Sequence, residues 1–307
     1  MKACFFGMGS IGMRHARNLR HLLGTRGQKG EIHALRSGRG GEMPEGLADR
    51  SCASWDDLEP PYDLVFITNP TMMHYETLLK AEPLGRSFFI EKPVFHSSSV
   101  TSGIPRSLSG KTVHVACPMR FHPIIEHLKA RLPGEVFAAR LLCSSYLPDW
   151  RKGRDYRTVY SARRELGGGV PLDLIHELDY ARWLFGQPEK VLRISGKYSA
   201  LETDCDDGAA YVMTCGGRLV EVHLDYFGRK SRRELELFCE EDTFICDLLR
   251  RTMTSLLSGE TTTFPQEDLY EKEMNYFLDI SERGGQSFNS LEDGLATLRI
   301  AEGGERE

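Results

Sequence analysis

A glycine-rich turn near the amino end of the chain places the strongest constraint on the fold. Residues 2–6 (KACFF) have the apolar composition of a buried strand, and GMGSIG follows directly at 7–12. The next stretch, MRHARNLRHLL at 13–23, has helical character. The turn therefore lies between a strand and a helix, which is the setting in which G-x-G-x-x-G binds the pyrophosphate of a dinucleotide.

Each glycine of this turn has a distinct predicted role. Gly7 makes the tight turn, Gly9 lets the backbone approach the pyrophosphate, and Gly12 lets the helix pack against the strand. The N-terminus of the helix that follows supplies amides and the positive end of its dipole to the phosphates, and Ser10 and Ile11 of the turn complete the predicted site. We expect these five residues to bind the cofactor.

The region after the second predicted strand bears on the choice of cofactor. The apolar run at 31–35 is followed by Arg36, Ser37 and Arg39, where an NAD site usually has an acidic residue for the ribose hydroxyls. A carboxylate there repels a 2′-phosphate, whereas a guanidinium and a hydroxyl bind it. The pattern favours NADP over NAD, and the alternative is an ordinary solvated basic loop.

Two later strands end in residues suited to a ligand site. One strand ends at Thr68, with Asn69 and Pro70 forming the turn into a helix, and another stops at Glu91 and Lys92. Ligands of open α/β sheets bind beyond the carboxyl ends of the strands, where Lys92 is expected to lie. A lysine before a proline is otherwise typical of a plain surface turn.

Composition limits the class of protein. The chain has 307 residues, which is longer than a single hydrophobic core usually supports, so two domains are expected. A net charge of −5 argues against a general binder of nucleic acid or anionic membranes, and no apolar run reaches the roughly 20 residues that span a bilayer. The eight cysteines include no CxxC pair and are expected to be buried reduced thiols. We expect a cytoplasmic protein with neither nucleic-acid nor membrane partners.

Taken together, the motifs resemble those of the Gfo/Idh/MocA oxidoreductases, the family of glucose-fructose oxidoreductase and inositol dehydrogenase. The matching pieces are GMGSIG at 7–12, TNPTMMH at 68–74, EKP at 91–93, MRFHP at 119–123 and GGGVPLDLIHELD at 167–179. The stretch 149–169 further resembles members associated with bacterial sialic-acid or nucleotide-sugar genes.

The resemblance implies the fold and extends the cofactor site. It implies an α/β protein with a Rossmann domain at 1–118, a doubly wound parallel sheet, and a second α/β domain at 119–307 with a large, mostly antiparallel sheet. One face of that sheet covers the nicotinamide, and the other often builds a homodimer or homotetramer. The loop residues that join the cofactor site are Thr68, Asn69, Pro70, His74, Glu91 and Lys92.

A cluster of titratable residues follows a triple glycine in the second half of the chain. The segment 166–186 contains Asp173, His176, Glu177 and Asp179 on a predicted helix. HELDY begins like the zinc motif HExxH but lacks its second histidine, so we predict no metal. The remaining alternatives are a structural helix edge and a proton-transfer site, since histidine titrates near neutral pH and a carboxylate can orient its ring.

The resemblance favours proton transfer and implies roles. His176 becomes the general acid/base, Asp173 orients or tunes it, and Lys92 hydrogen-bonds the reacting oxygen. The family's commonest spacing from the aspartate to the histidine is four residues, and here it is three. Either spacing keeps the pair on one helix face, and either Asp173 or Asp179 remains open as the main partner.

A basic, aromatic stretch precedes the triple glycine and suits an anionic sugar substrate, such as a sugar acid or a sugar diphosphate. The alternative is a solvated charged face. The residues predicted to bind substrate are Arg120, Trp150, Arg154, Tyr156, Arg163, Asp173 and His176.

The sequence thus predicts an NAD(P)-dependent oxidoreductase that transfers a hydride between a nicotinamide and a hydroxyl or keto group of a sugar, sugar acid or nucleotide sugar. The alternatives are a cofactor-retaining lyase or glycosidase that uses transient oxidation, a non-catalytic NADP(H)-binding regulator, and a scaffold in a sugar pathway that binds neither cofactor nor sugar.

Overall fold

Fourteen strands and seven α-helices account for the regular structure in the part of the chain that the computed structural model describes, residues 1–38 and 43–304. The strands are β1 (Lys2–Phe6), β2 (Glu31–Leu35), β3 (Arg50–Cys52), β4 (Tyr62–Ile67), β5 (Gly85–Ile90), β6 (Thr112–Val115), β7 (Val136–Tyr146), β8 (Lys190–Gly196), β9 (Gly208–Cys215), β10 (Arg218–Asp225), β11 (Phe227–Cys239), β12 (Thr243–Asp247), β13 (Thr252–Ser255) and β14 (Thr261–Thr263). The helices are α1 (Ser10–Thr25), α2 (His74–Ala81), α3 (Pro123–Ala130), α4 (Val170–Asp173), α5 (His176–Phe185), α6 (Leu269–Arg283) and α7 (Leu291–Glu302). Within these ranges no helix is both long and apolar enough to cross a membrane.

The first unit is built on a parallel sheet of six strands in the order β3-β2-β1-β4-β5-β6. Its central strands are apolar runs because the sheet is covered on both faces. Phe5 of β1 stacks on Phe66 of β4 with ring centroids 4.2 Å apart. The chain leaves β1 toward β2 on one side and β4 lies on the other, so the order of strands reverses between β1 and β4, where ligands of such sheets bind.

The two units divide the chain differently from the sequence prediction. The first comprises Met1–Ala116 and Asp268–Leu295, and the second comprises Cys117–Glu267 and Ala296–Glu307. The prediction assigned all of 119–307 to the second domain and did not foresee α6. This helix belongs to the first unit because Met274, Phe277 and Leu278 on its apolar face fill the core beneath the parallel sheet.

The second unit contains a sheet of eight strands in the order β14-β13-β12-β11-β7-β10-β9-β8. Every neighbouring pair is antiparallel except β7 and β10. Burial alternates along β9, as expected for a strand with one face on a core and the other open. The predicted fold class, a Rossmann sheet followed by an α/β domain with a large, mostly antiparallel sheet, is confirmed.

Candidate active site

The glycine turn has the shape that its sequence predicts. Gly7 has a φ of +100°, and a Cβ on it would lie 2.6 Å from the Cα of Asn69. A Cβ on Gly12 would lie 2.4 Å from the Gly7 carbonyl oxygen, so helix and turn touch through backbone. A Cβ on Gly9 would meet nothing within 4 Å. Two glycines therefore serve close packing, and the middle one borders open space that suits a pyrophosphate.

The predicted cofactor residues lie at one edge of the parallel sheet. Gly7 follows β1, Arg36 and Ser37 follow β2, Thr68 follows β4, and Glu91 follows β5. These four strands are adjacent and parallel, so their carboxyl ends meet at the same edge. Arg39 lies outside the described residues.

The loop after β4 is tied to the glycine turn. The Thr68 hydroxyl donates to the Gly7 carbonyl oxygen at 2.6 Å, and the Asn69 amide donates to the Thr77 hydroxyl at 2.8 Å. Pro70 then precedes a short 3₁₀ turn, Thr71–Met73. The Thr68 hydroxyl thus fixes the Gly7 carbonyl group and, with it, the backbone of the glycine turn.

His74 joins two loops. Its Nε2 lies 2.8 Å from the carbonyl oxygen of Asn69, and its Nδ1 lies 3.1 Å from that of Pro93. Burial lowers the pKa of His74, which favours the neutral ring. The imidazole is 1% exposed, so the structure places this predicted cofactor residue inside the protein, where it holds the loops after β4 and β5.

Glu91 is also turned inward. One carboxylate oxygen lies 2.5 Å from His15 Nε2, and the other accepts a hydrogen bond from the Lys92 main-chain N–H at 3.1 Å. Burial acts to raise the pKa of Glu91, but the hydrogen bond and charge of His15 outweigh it, so this pKa lies below its ordinary value. Lys92 itself is half-buried and joined to Pro93 by a cis peptide bond.

Sequence reasoning missed His15. Its signal was available, because Gly12, Ala16 and Leu19 mark the buried face of α1 and His15 falls on that face. A histidine at an apolar-face position needs a buried polar partner.

In the second unit, the predicted helix is broken near its N-terminal end. Asp173 ends α4, His176 begins α5, and Leu174 and Ile175 form a turn between them. Leu174 has a ψ of 32°, outside the helical range. The expectation that Asp173 and His176 share one face of one helix is therefore wrong.

The carboxylates of the cluster have three different partners. Asp173 accepts from the Tyr226 hydroxyl at 3.1 Å, and Glu177 lies 2.7 Å from Arg233 Nε. Asp179 pairs with Arg120 through two hydrogen bonds, of 2.9 and 2.8 Å. These oxygens serve separate interactions within the second unit.

Arg120 and His176 differ in what they offer a ligand. The Arg120 guanidinium is 1% exposed, and Asp179 occupies two of its donors. The pair anchors α5 rather than leaving a cation for substrate. His176 is 8% exposed at the first position of α5.

Tyr226, which sequence reasoning also missed, connects Asp173 to the predicted substrate residues. Burial, together with the charge of Asp173, holds the pKa of Tyr226 well above its ordinary value, so the phenol remains a donor. The ring of Trp150 stands perpendicular to that of Tyr226, with centroids 5.3 Å apart. Trp150 keeps 37% of its surface exposed. The structure thus brings Trp150 and Asp173 together around one buried tyrosine.

The other predicted substrate residues lie on the segment between Trp150 and the triple glycine. Tyr156 accepts a hydrogen bond from the Glu202 main chain at 3.0 Å, which fixes the segment to the loop before β9. Arg157 is held by Asp155 and Glu202. Arg154 and Arg163 are exposed. No ion pair of either is found in the part of the chain that the structure describes.

The triple glycine is packed rather than loose. Tyr160 donates to the Gly167 carbonyl oxygen at 2.8 Å, and a Cβ on Gly168 would lie 2.3 Å from the Tyr160 carbonyl oxygen. Gly169, with a φ of +120°, leads into α4. Close backbone contact explains Gly168, and positive φ angles explain Gly167 and Gly169.

Part of the second unit matches a known domain family. Residues 124–245 match the GFO/IDH/MocA C-terminal domain. The scyllo-inositol 2-dehydrogenase (NAD(+)) of Bacillus subtilis (strain 168) is 24% identical over 286 residues, which cover 86% of this chain and 79% of that protein. The resemblance predicted from the sequence motifs is confirmed.

Solved structures support the fold. UDP-N-acetylglucosamine 3-dehydrogenase GnnA from Acidithiobacillus ferrooxidans superposes with a TM-score of 0.79 at 21% identity, over 98% of this chain and 95% of that one. Levoglucosan dehydrogenase, in a complex with NADH and levoglucosan, gives a TM-score of 0.81 at 17% identity, with the same coverage of both chains.

Proposed function

We propose that this chain is an NAD(P)-dependent oxidoreductase that acts on a hydroxyl or keto group of a sugar-type substrate, because residues 124–245 match the C-terminal domain of the GFO/IDH/MocA family. The observation that carries the proposal is the glycine turn, in which Gly7 and Gly12 are closed by backbone and Gly9 borders open space. The turn lies at the reversal of strand order in a parallel sheet, where dinucleotides bind.

The residues of the first unit fit a bound dinucleotide. The amides of Ser10 and Ile11 at the start of α1 would receive the pyrophosphate, since the first turn of this helix has no acidic side chain and no side-chain cap. Thr68 and His74 support the surrounding loops from within.

We assign the proton chemistry to this chain's own side chains. When bound, the nicotinamide supplies the hydride acceptor or donor. His176 takes the proton from the substrate hydroxyl, and Asp173, which accepts a hydrogen bond from Tyr226, orients or tunes His176. Lys92 hydrogen-bonds the reacting oxygen.

For the cofactor, we propose a preference for NADP. The residues after β2 are Arg36, Ser37 and Gly38, none of which is acidic, and a guanidinium suits a 2′-phosphate. The names of the Bacillus subtilis relative and of the levoglucosan dehydrogenase complex specify NAD(+) and NADH for those proteins. NAD is therefore the alternative cofactor.

For the substrate, we propose contacts from Trp150, Arg154, Tyr156 and Arg163. Trp150 lies against Tyr226 beside Asp173, and an exposed indole offers a face for a sugar ring. Arg154 and Arg163 suit a carboxylate or phosphate on the substrate. We leave Arg120 out of this set because Asp179 occupies it.

We further propose that the protein is a homo-oligomer through the open face of the eight-stranded sheet. Leu192 and Ile194 of β8 are 57% and 70% exposed, and Val212 of β9, the register partner of Leu192, is 41% exposed. A contiguous exposed apolar patch on a sheet is typical of an interface.

An oxidation assay tests the proposal. Purified protein is incubated with NADP⁺ or NAD⁺ and a panel of scyllo-inositol, levoglucosan and UDP-N-acetylglucosamine, the compounds named for its relatives, and formation of reduced nicotinamide is followed by absorbance. Dehydrogenation of a panel member or of a related sugar supports the proposal. Conversion of a sugar with no net change in the dinucleotide would replace it with the cofactor-retaining alternative.

A further inference from the structure

The Lys92 backbone is held through a chain of two buried side chains. Glu91 is the first residue after β5, and its own N–H still donates to Ile67 of β4 at 2.9 Å. Its carboxylate then accepts from the Lys92 N–H with one oxygen and contacts His15 Nε2 with the other. The position of the carboxylate therefore depends on His15.

His15 is fixed in place. Its side chain is fully buried, and its ring lies 4.7 Å from that of Phe89 and 5.9 Å from that of Tyr270, between centroids. An ionised carboxylate only accepts hydrogen bonds, so His15 Nε2 is the donor in this contact. Among the described residues its Nδ1 has no hydrogen-bond partner, so Glu91 supplies the hydrogen bond of the ring.

His15 also connects two parts of the proposed cofactor site. It lies three residues after Gly12 on α1, the helix that begins at the glycine turn. Through Glu91 it reaches the loop that carries Lys92. The helix that would bind the pyrophosphate and the strand end that carries the lysine are thus joined by one buried contact.

We infer that His15 is a positioning residue for Lys92, acting through the Glu91 carboxylate. The inference rests on the proposed function for the role of Lys92, but the structural link that it describes is testable without substrate. Loss of the His15 donor leaves a buried carboxylate without its strongest partner, and the carboxylate then no longer fixes the Lys92 main chain.

The test compares three variants. His15→Leu removes the donor, and His15→Gln keeps an N–H donor near the position of Nε2. His33→Leu is the matched control, because His33 is another fully buried histidine of the first unit that bonds to Tyr62 and Glu31 and has no contact with Glu91. Hydrogen exchange of the Lys92 amide is measured by mass spectrometry with fragmentation of the 88–95 peptide.

In His15→Leu we expect exchange at Lys92 to be about tenfold faster than in the wild type, whereas His15→Gln and His33→Leu leave it unchanged. Once a substrate that the protein oxidises has been found, we expect kcat of His15→Leu to be about ten- to a hundredfold below that of the wild type. The Kd for the dinucleotide is retained, and His15→Gln restores kcat. Thermal melts of each variant report general loss of stability.

Unchanged exchange at Lys92 in His15→Leu overturns the inference, and so does a His15→Leu enzyme with full kcat. A wild-type protein that binds no dinucleotide overturns the proposed function instead. The exchange result then still decides whether His15 positions the Lys92 backbone.

Discussion

At the scale of single residues, the glycine turn shows how far sequence can carry a structural argument. The roles assigned to Gly7, Gly9 and Gly12 follow from the motif and its setting, and the contacts of each hypothetical Cβ agree with them. Motif reasoning works here because the constraint is local and steric. The turn contains a glycine packed against backbone, Gly12, and a glycine beside open space, Gly9, and substitution by alanine is expected to affect them differently.

We predict that Gly12→Ala destabilises the protein by about 1–3 kcal/mol, since the added methyl collides with the Gly7 backbone. Gly9→Ala, with a φ of −71° and open space at its Cβ, is expected to change stability by no more than about 0.5 kcal/mol. Urea unfolding of both variants measures the difference. Equal destabilisation would contradict the steric account of the turn.

Arg36 sets the cofactor preference in the proposal. Arg36→Ala is expected to weaken NADPH binding by about tenfold or more, because a charge-assisted contact to the 2′-phosphate is lost, and to leave NADH binding nearly unchanged. Fluorescence titration with each dinucleotide measures the two affinities. Equal losses for NADPH and NADH would remove Arg36 from the 2′-phosphate site.

His176 carries the proton in the proposed reaction. His176→Ala is expected to lower kcat by about 10²- to 10⁴-fold while the affinity for dinucleotide is retained. Steady-state kinetics and a parallel binding titration separate these effects. Full turnover in this variant would make His176 a structural residue of α5.

Sequence reasoning missed two residues of the site for different reasons. His15 was detectable as a histidine on an apolar helix face, whereas its partner Glu91 lies 76 residues away and only the fold joins them. Tyr226 gave no signal, since its contact with Asp173 spans 53 residues and depends on how β10 meets α4.

At the scale of elements, the break between α4 and α5 shows where periodicity misleads. Leu174, Ile175 and Leu178 recur at helical spacing, so the pattern predicts a helix straight through the break. All three side chains are buried in the structure, and a turn satisfies their burial as well as a continuous helix does. Tertiary contacts, such as the Tyr226 hydrogen bond to Asp173, therefore determine the backbone conformation at the break between α4 and α5.

The end of β5 has a predicted pH dependence. The pKa of Glu91 is lower in the folded protein than the ordinary value of 4.5, so its contribution to stability is present above that value and is lost as the pH falls through the folded pKa. Glu91→Gln is expected to flatten the acid limb of the stability curve, measured by urea unfolding between about pH 6 and pH 3. Glu76→Gln, at an exposed position of α2, is the control. A wild-type slope in Glu91→Gln would contradict the assignment.

At the scale of the whole molecule, chain length predicts two domains, and the family resemblance implies both sheets. They do not predict that residues 268–295 return to the first unit. The apolar face of α6 is visible in the sequence, but a helical pattern does not reveal which of two cores it fills. The contacts of Met274 and Phe277 with the first core settle this, and they form only in the folded chain.

The open face of the second sheet leads to a prediction about assembly. Ile194→Lys places a charge within the exposed apolar patch and is expected to convert the oligomer into monomers, because burying an unpaired charge at an interface is costly. Light scattering coupled to size exclusion measures the mass. Ser102→Lys, at an exposed loop position, is the control for added charge. A monomeric wild type would contradict the proposed interface.

A fluorescence titration of the purified wild-type protein with NADPH and with NADH measures whether the glycine turn binds a nicotinamide dinucleotide. We expect saturable binding, tighter for NADPH. Absence of binding to either dinucleotide, in folded protein shown to carry none from purification, would contradict it.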